Sequence, residues 1–125
     1  MTNKPNYSEI PDAIAELVKI NPVPTILIDM TTFSVAVVNP PALKFLGYSE
    51  TEIVGESVTK FVPLDDIAAV QQSADEPPPE GETQWRCVTK DGQILFVKLK
   101  YRETMYLGRP ARFVVLIEGR STPFE

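Results

Sequence analysis

The sequence predicts an α+β fold in one domain, with short helices and strands grouped as an early pair and a late triplet. Thr25–Met30 and Ser34–Val38 are β-branched runs separated by a tight turn. Asn39-Pro40-Pro41-Ala42-Leu43 opens a short apolar helix that Gly47 stops. Residues 83–89, 94–103 and 111–118 then read as a three-strand antiparallel run.

In chain order, residues 1–9 are polar and expected to be loosely held. Ile10, Ala13, Ile14, Leu17 and Val18 fall at i, i+3, i+4, i+7 and i+8, one stripe of an amphipathic helix ended by Asn21-Pro22. After the strand pair, Asn39 is placed to accept from the free amides of the next helix. Pro40 takes the first helical position, where its missing N–H costs nothing. Leu43 and Leu46 face one side. Ser49 opens a further helical turn, and Glu52 three residues on completes a capping box. The stretch between Gly55 and Val62 is ambiguous. Asp65 or Asp66 starts another helix, with Ile67, Val70 and Ala74 turned inward. Residues 75–82 carry three consecutive prolines among acidic side chains and read as a solvated loop.

In the tail, Trp85 and Cys87, then Val97, Leu99 and Tyr101, alternate as inward residues. Arg86, Lys98, Lys100 and Arg102 point the other way, as a solvated face that discourages edge pairing. That alternation constrains the turn. A two-residue Asp91-Gly92 loop would set Cys87 opposite Phe96 and flip one strand's faces, so a Lys90-Asp91-Gly92 loop with Gly92 left-handed is expected. The last strand is apolar on both faces, Phe113, Val115 and Ile117 on one and Val114 and Leu116 on the other. Such a strand is central and covered on both sides.

Composition narrows the function. The 125 residues suffice for a core without staples, and a hydrophobic content of 43% is that of a globular protein. The longest apolar run is far short of a membrane span, and no secretory leader pattern follows Met1. The net charge of −5 argues against nucleic acid as the main partner. Cys87, the single cysteine, excludes an internal disulfide and fits a reducing cytosol. With no histidine, the chain cannot by itself build a Ser-His-Asp or Cys-His arrangement, a His-ligated haem or the usual zinc site. Its carboxylates form no catalytic pair: Asp29 is expected to accept turn amides, and Asp65 and Asp66 to cap a helix. Cys87 alternates with Trp85 on an inward face, where a thiol acts as a small hydrophobe with a raised pKa rather than as a redox centre.

Asp29, Asn39, Gly47-Tyr48, Gly55 and Pro63-x-Asp65, in that order and followed by three strands, resemble a PAS domain, the small sensor and interaction module of signalling proteins. The resemblance covers residues 22–119, with 1–21 as an N-terminal flanking helix and 120–125 as an exit segment. It implies one five-stranded antiparallel sheet in the order 2-1-5-4-3 with the helices over one face. The last strand then lies between the first and the fourth, as its two-sided apolar pattern requires. The inner lining implied is Ile26, Ile28, Val35, Val37, Ala42, Val54, Val58, Ile67, Val70, Trp85, Cys87, Val97, Leu99, Val115 and Ile117. It reads either as a closed core or as a pocket for a small hydrophobic or planar molecule. Trp85 either fills the space or forms one wall of it.

Haem-binding relatives generally use a His on the helix after the Pro-x-Asp segment, and this chain has none. Light-sensing LOV relatives carry Gly-x-Asn-Cys-Arg-Phe-Leu-Gln after the Gly-Tyr segment. Here Gly55-Glu56-Ser57-Val58-Thr59-Lys60-Phe61-Val62 puts Val58 in the place of the reactive cysteine. The strand residues that would bind a flavin ring appear as Cys87, Val97 and Ile117. No cofactor is therefore expected, and an unidentified small apolar ligand remains open.

Outward, Leu27, Phe96, Val114 and Leu116 form an apolar patch that must be covered. The stripe of Ile10, Ile14, Leu17 and Val18 matches it, either in cis or from a second copy. Relatives commonly pair through this helix and sheet face, so a homodimer is expected. The resemblance thus implies a non-catalytic, cytoplasmic sensory or regulatory domain of a longer signalling protein, relaying through flanking helices to an effector domain. The alternative is a ligand-free interaction and dimerisation module with a sealed core. Where relatives often carry Asp-x-Thr at the exit, this chain has Glu118-Gly119-Arg120-Ser121.

Overall fold

The computed structural model describes residues 13–76 and 82–124. The expected loose segment 1–9, Ile10 and residues 77–81 of the expected loop lie outside them. Helix α1 spans Ala13–Ile20, strand β1 Thr25–Asp29 and β2 Ser34–Val38, followed by α2 (Pro40–Leu46) and α3 (Glu50–Ile53). Two 3-10 turns, Val58–Phe61 and Leu64–Asp66, lead into α4 (Ile67–Asp75). Strands β3 (Glu82–Val88), β4 (Ile94–Tyr106) and β5 (Arg109–Arg120) complete the chain. The strands form one antiparallel sheet in the order β2-β1-β5-β4-β3, as the resemblance implied.

Local chemistry sets the joints. Asn39 caps α2 by accepting from Ala42 N–H at 3.1 Å, and Gly47, at φ +84°, closes it by donating to Leu43 O at 2.8 Å. Asp29 accepts from Thr31 N–H at 2.9 Å in the β1–β2 turn, as expected, and also holds Arg109 at 3.0 Å. Glu52 accepts from Ser49 N–H at 2.9 Å and pairs with Lys90 at 2.9 Å. Those bonds hold its carboxyl down at about 2, the backbone bond from Ser49 contributing most. The β3–β4 connection is the expected Lys90-Asp91-Gly92 loop. Thr89 N–H donates to Gln93 O, Gly92 lies at φ +86°, and Cys87 faces Leu95.

The ambiguous stretch 55–62 has a definite role. Gly55 N–H donates to Val35 O, Val35 N–H to Glu56 O, and Val58 N–H to Phe33 O, which covers the free edge of β2. Phe61, in the first 3-10 turn, is buried edge-to-face on Tyr48 with ring centroids 5.1 Å apart.

Four departures from the sequence reading concern strand register, strand length and capping. First, β1 and β2 pair with a bulge: Leu27 faces Val37 and Ile28 faces Val35, so Ala36 is the extra residue. The bulge turns Val37 outward, while Val35 and Val38 face the helices. Second, β5 has the opposite phase to that expected. Val114 faces Ile26 and Tyr101, while Phe113 faces Leu27, so Arg112, Val114 and Leu116 point to the helix side. Alternation could not fix the phase of a strand apolar on both faces. Third, β4 and β5 run on to a two-residue turn at Leu107-Gly108, both residues at positive φ. Fourth, Asp66 occupies the N-cap position of α4 without a side-chain cap bond, its carboxylate being held by Arg86 instead.

Helix α1 folds back on its own sheet. Val18 is fully buried with Leu27, Val37 and Ala111, flanked by Ile14, Ala15 and Phe113. Leu17, expected on the buried stripe, is 53% exposed, because so short a helix seats one residue deeply and that residue is Val18. At the far end of the sheet, Phe124 lies under Lys98 at 4.6 Å and Arg120 at 4.3 Å. Gly119 pairs with Val97 and faces the helices, and a Cβ there would collide with Phe45 Cζ. No helix among the described residues is long and apolar enough to cross a membrane.

Candidate functional site

Between the inner sheet face and the helices lies a cavity of about 170 Å³. Strand positions mostly of a single phase build its floor: Ile26 and Ile28 from β1, Thr83, Trp85 and Cys87 from β3, Val97, Leu99 and Tyr101 from β4, and Arg112, Val114 and Leu116 from β5. Thr25 and Arg86, of the other phase, also border it, Arg86 being drawn to the helix side by Asp66 rather than pointing away as expected. Ala42, Phe45, Leu46, Ile53, Val58, Phe61 and Val70 form the roof, with Phe33 and Val35 at one side.

Of the residues proposed from sequence to line such a space, Ile26, Ile28, Val35, Ala42, Val58, Val70, Trp85, Cys87, Val97 and Leu99 do so. Trp85 borders the space rather than filling it. Five others stand elsewhere. The bulge at Ala36 carries Val37 to the α1 side, and the phase of β5 carries Val115 away from the cavity. Ile117 is the extra residue of a second bulge, opposite Lys98 and Leu99, and is 46% exposed. Val54 follows the last residue of α3 and points to solvent, leaving Ile53 to fill the core. Ile67, at the first turn of α4, is half-buried outside the lining, and Val70 one turn later reaches in.

The outer-face residues are likewise divided. Val114 and Leu116 line the cavity instead, by the same reversal of phase. Leu27 and Val18 are covered within the chain, Ile14 packs beside them, and Leu17 is exposed. Phe96 does lie away from the cavity, half-buried opposite Arg86 and Arg120. Ile10 is outside the described residues.

Most polar atoms at the wall are satisfied by their own surroundings. The Thr25 hydroxyl donates to Val23 O at 2.9 Å and the Ser73 hydroxyl to Val70 O at 2.6 Å. Arg86 grips Asp66 through Nε at 2.9 Å and Nη2 at 2.7 Å, which clasps the edge strand to the start of α4. The same bonds hold the Asp66 carboxyl below its usual range. Burial pushes the Cys87 thiol up to about 11, so it is un-ionised and a poor nucleophile at neutral pH.

Sequence reasoning missed the aromatic and aliphatic roof residues Phe45, Leu46, Ile53 and Phe61, and it missed the buried charge, Arg112. It is 6% exposed, donates from Nε to Glu103 at 2.7 Å and from Nη2 to Ser73 O at 3.1 Å, and lies 5.0 Å from the centroid of the Tyr101 ring. No sequence signal marked it: alternation carried back from the inward-facing Gly119 would set Arg112 outward, and the bulge at Ile117 reverses that phase. Among the described residues no three His, Cys, Asp or Glu side chains cluster as a metal site would require.

Comparison with known proteins agrees with this architecture. No curated protein sequence matches significantly. Among solved structures, the PAS domain of an HTR-like protein from Haloarcula marismortui superposes with a TM-score of 0.68 at 19% identity, over 82% of this chain and 86% of that one. A PAS domain from a two-component sensor histidine kinase gives 0.69 at 12% identity, over 86% and 93%. The Rhodobacter sphaeroides LOV protein gives 0.69 at 19% identity, over 83% of this chain and 63% of that longer one. At these identities the likeness is one of fold. Sequence supplies the rest: the family model described as PAS domain matches residues 22–117, and the chain belongs to the PAS domain family.

Proposed function

We propose that this PAS domain is a non-catalytic sensory module that holds a small apolar molecule between its sheet and helices. Flanking segments would relay occupancy to an effector region of a longer signalling protein. The observation that carries this reading is the cavity of about 170 Å³ behind an apolar lining. A sealed core is packed to crystal-like density, with gaps hardly larger than a water molecule. An apolar cavity of about 150 Å³ admits benzene, which points to a single ring or a short branched chain. Haem and flavin are larger, and Cys87, Val97, Val114 and Leu116 on the floor offer no amide to a flavin ring. Purified protein is expected to be colourless.

The residues also favour binding over catalysis. The chain has no histidine, and the carboxylates of Asp66 and Glu103 are each engaged by an arginine. A cytoplasmic location and a homodimer go with this reading. Leu17 and Ile20, 53% and 72% exposed on α1, are the apolar surface left to a second copy.

Solvent extraction and mass spectrometry of purified protein is the test, and a stoichiometric small molecule is expected. If none is found, and benzene-sized probes leave the Tm unchanged, the second reading stands: an interaction module with a sealed core. Its supporting observation is that 170 Å³ lies below the roughly 300–1,000 Å³ of drug-sized ligand pockets.

A further inference from the structure

Two charged side chains border the cavity: Arg86, one-third exposed at the edge strand where water can meet what Asp66 leaves, and Arg112, which is enclosed and whose capacity its neighbours do not fill. Arg112 is 6% exposed and borders the space. A guanidinium carries five N–H donors, and a buried charge must be paired and hydrogen-bonded. Glu103 takes Nε and the Ser73 carbonyl takes one donor of Nη2, while the Tyr101 ring faces the group. Among the described residues, Nη1 has no hydrogen-bond partner. A purely structural latch between β5 and α4 accounts for the bonds to Glu103 and Ser73 but gives no use for Nη1. Every wholly enclosed side-chain nitrogen and oxygen among the described residues is satisfied, so Nη1 keeps some open surface. Arg112 is among the residues that line the cavity.

We propose that the cavity is a site for a small carboxylic acid with an apolar ring or short branched tail, its carboxylate held by Nη1 of Arg112. This deepens the sensory reading and rests on it. The planar guanidinium fork matches a carboxylate in geometry and charge, which a hydroxyl or hydrocarbon does not exploit. The apolar walls reject inorganic anions, which would lose their hydration without replacement. Glu103 is half-exposed, so it can turn to water and yield its place when a second carboxylate arrives. Binding would therefore loosen the Glu103–Arg112 rung beside the β4–β5 turn.

Benzoate and its neutral near-isostere benzamide are suitable probes of the full chain. Trp85, the chain's one tryptophan, borders the cavity and reports occupancy by fluorescence. Benzoate should bind about tenfold or more tighter than benzamide, as expected of a charge-assisted pair in a buried site. Arg112→Gln should abolish that preference and leave benzamide binding in place. Glu103→Gln removes the competing carboxylate and should tighten benzoate alone; it serves if Arg112→Gln does not fold. Equal binding of the two probes, a preference that survives Arg112→Gln, or no response to Glu103→Gln would overturn the proposal while leaving an occupied cavity. Binding of neither probe would overturn the proposal, and would overturn the sensory reading too if extraction also recovers no molecule.

Discussion

Asn39 shows how much structure one side chain can hold. Fully buried, it accepts from Thr25 N–H at 2.9 Å and Ala42 N–H at 3.1 Å, and donates to Asn21 O at 3.0 Å and Val23 O at 2.7 Å. All the hydrogen-bonding capacity of the amide is used at the joint of β1, α2 and the segment after α1. Asn39→Ala leaves two buried amide donors unpaired and should destabilise by about 2–4 kcal/mol. Asn39→Asp separates the cap from the joint: aspartate caps helices as well as asparagine does. Here it would set a carboxylate oxygen against two carbonyl oxygens, so a comparable fall in urea midpoint is expected. A midpoint near wild type for Asn39→Asp would mean that the cap alone matters. The cap was legible in Asn39-Pro40, because both partners are local. The bonds to Asn21 and Val23 were not, since only the fold brings those carbonyls near.

At the scale of elements, the β4–β5 hairpin carries a local cost. Leu107 has φ +51° and its side chain is 70% exposed, while Gly108 has φ +77°. A two-residue turn with both residues left-handed suits the twist of a hairpin but favours Asn-Gly over Leu-Gly. Leu107→Asn should stabilise by about 1 kcal/mol, read as a raised Tm, because leucine resists the left-handed region. A lowered Tm would show that the leucine side chain supplies more than its backbone costs. Strand existence and the Lys90-Asp91-Gly92 turn were legible, because alternation and turn chemistry are local signals; the pairing order came with the family resemblance, only the central place of β5 being read from its own pattern. The phase of β5 was not. Phe113 and Val115 are as apolar as Val114 and Leu116, since α1 covers one side and the cavity roof the other. The bulge at Ala36 was equally silent, as nothing in Ser-Val-Ala-Val-Val marks an extra residue.

For the whole molecule, the sheet works as a partition: its inner face floors the cavity and its outer face seats α1. That division explains which part of the site could be read in advance. Residues on half-polar strands, such as Trp85 and Cys87, announced their side, whereas those on the fully covered strand did not. It also bears on assembly. Leu27, Val37 and Ala111 are 0%, 6% and 1% exposed, with Val18 of α1 buried among them. Removing residues 1–20 should bare them, lower the denaturant midpoint and increase dye binding by exposed apolar surface. Light scattering should show a dimer for the full chain and a monomer, or nonspecific aggregates, for the shortened one. A full chain that stays monomeric at high micromolar concentration would reduce α1 to an intramolecular cover.

Gly119 has a mechanical consequence. With no Cβ, it lets the Phe45 ring rest against the last strand, and the same side chain borders the cavity. The next residue, Arg120, lies on Phe124, so the path by which the chain leaves the sheet begins one residue from the ring. A molecule crowding the cavity and a methyl group added at position 119 would thus press on the same ring. The interior space and the departing chain meet at one aromatic side chain, which only a residue without Cβ admits.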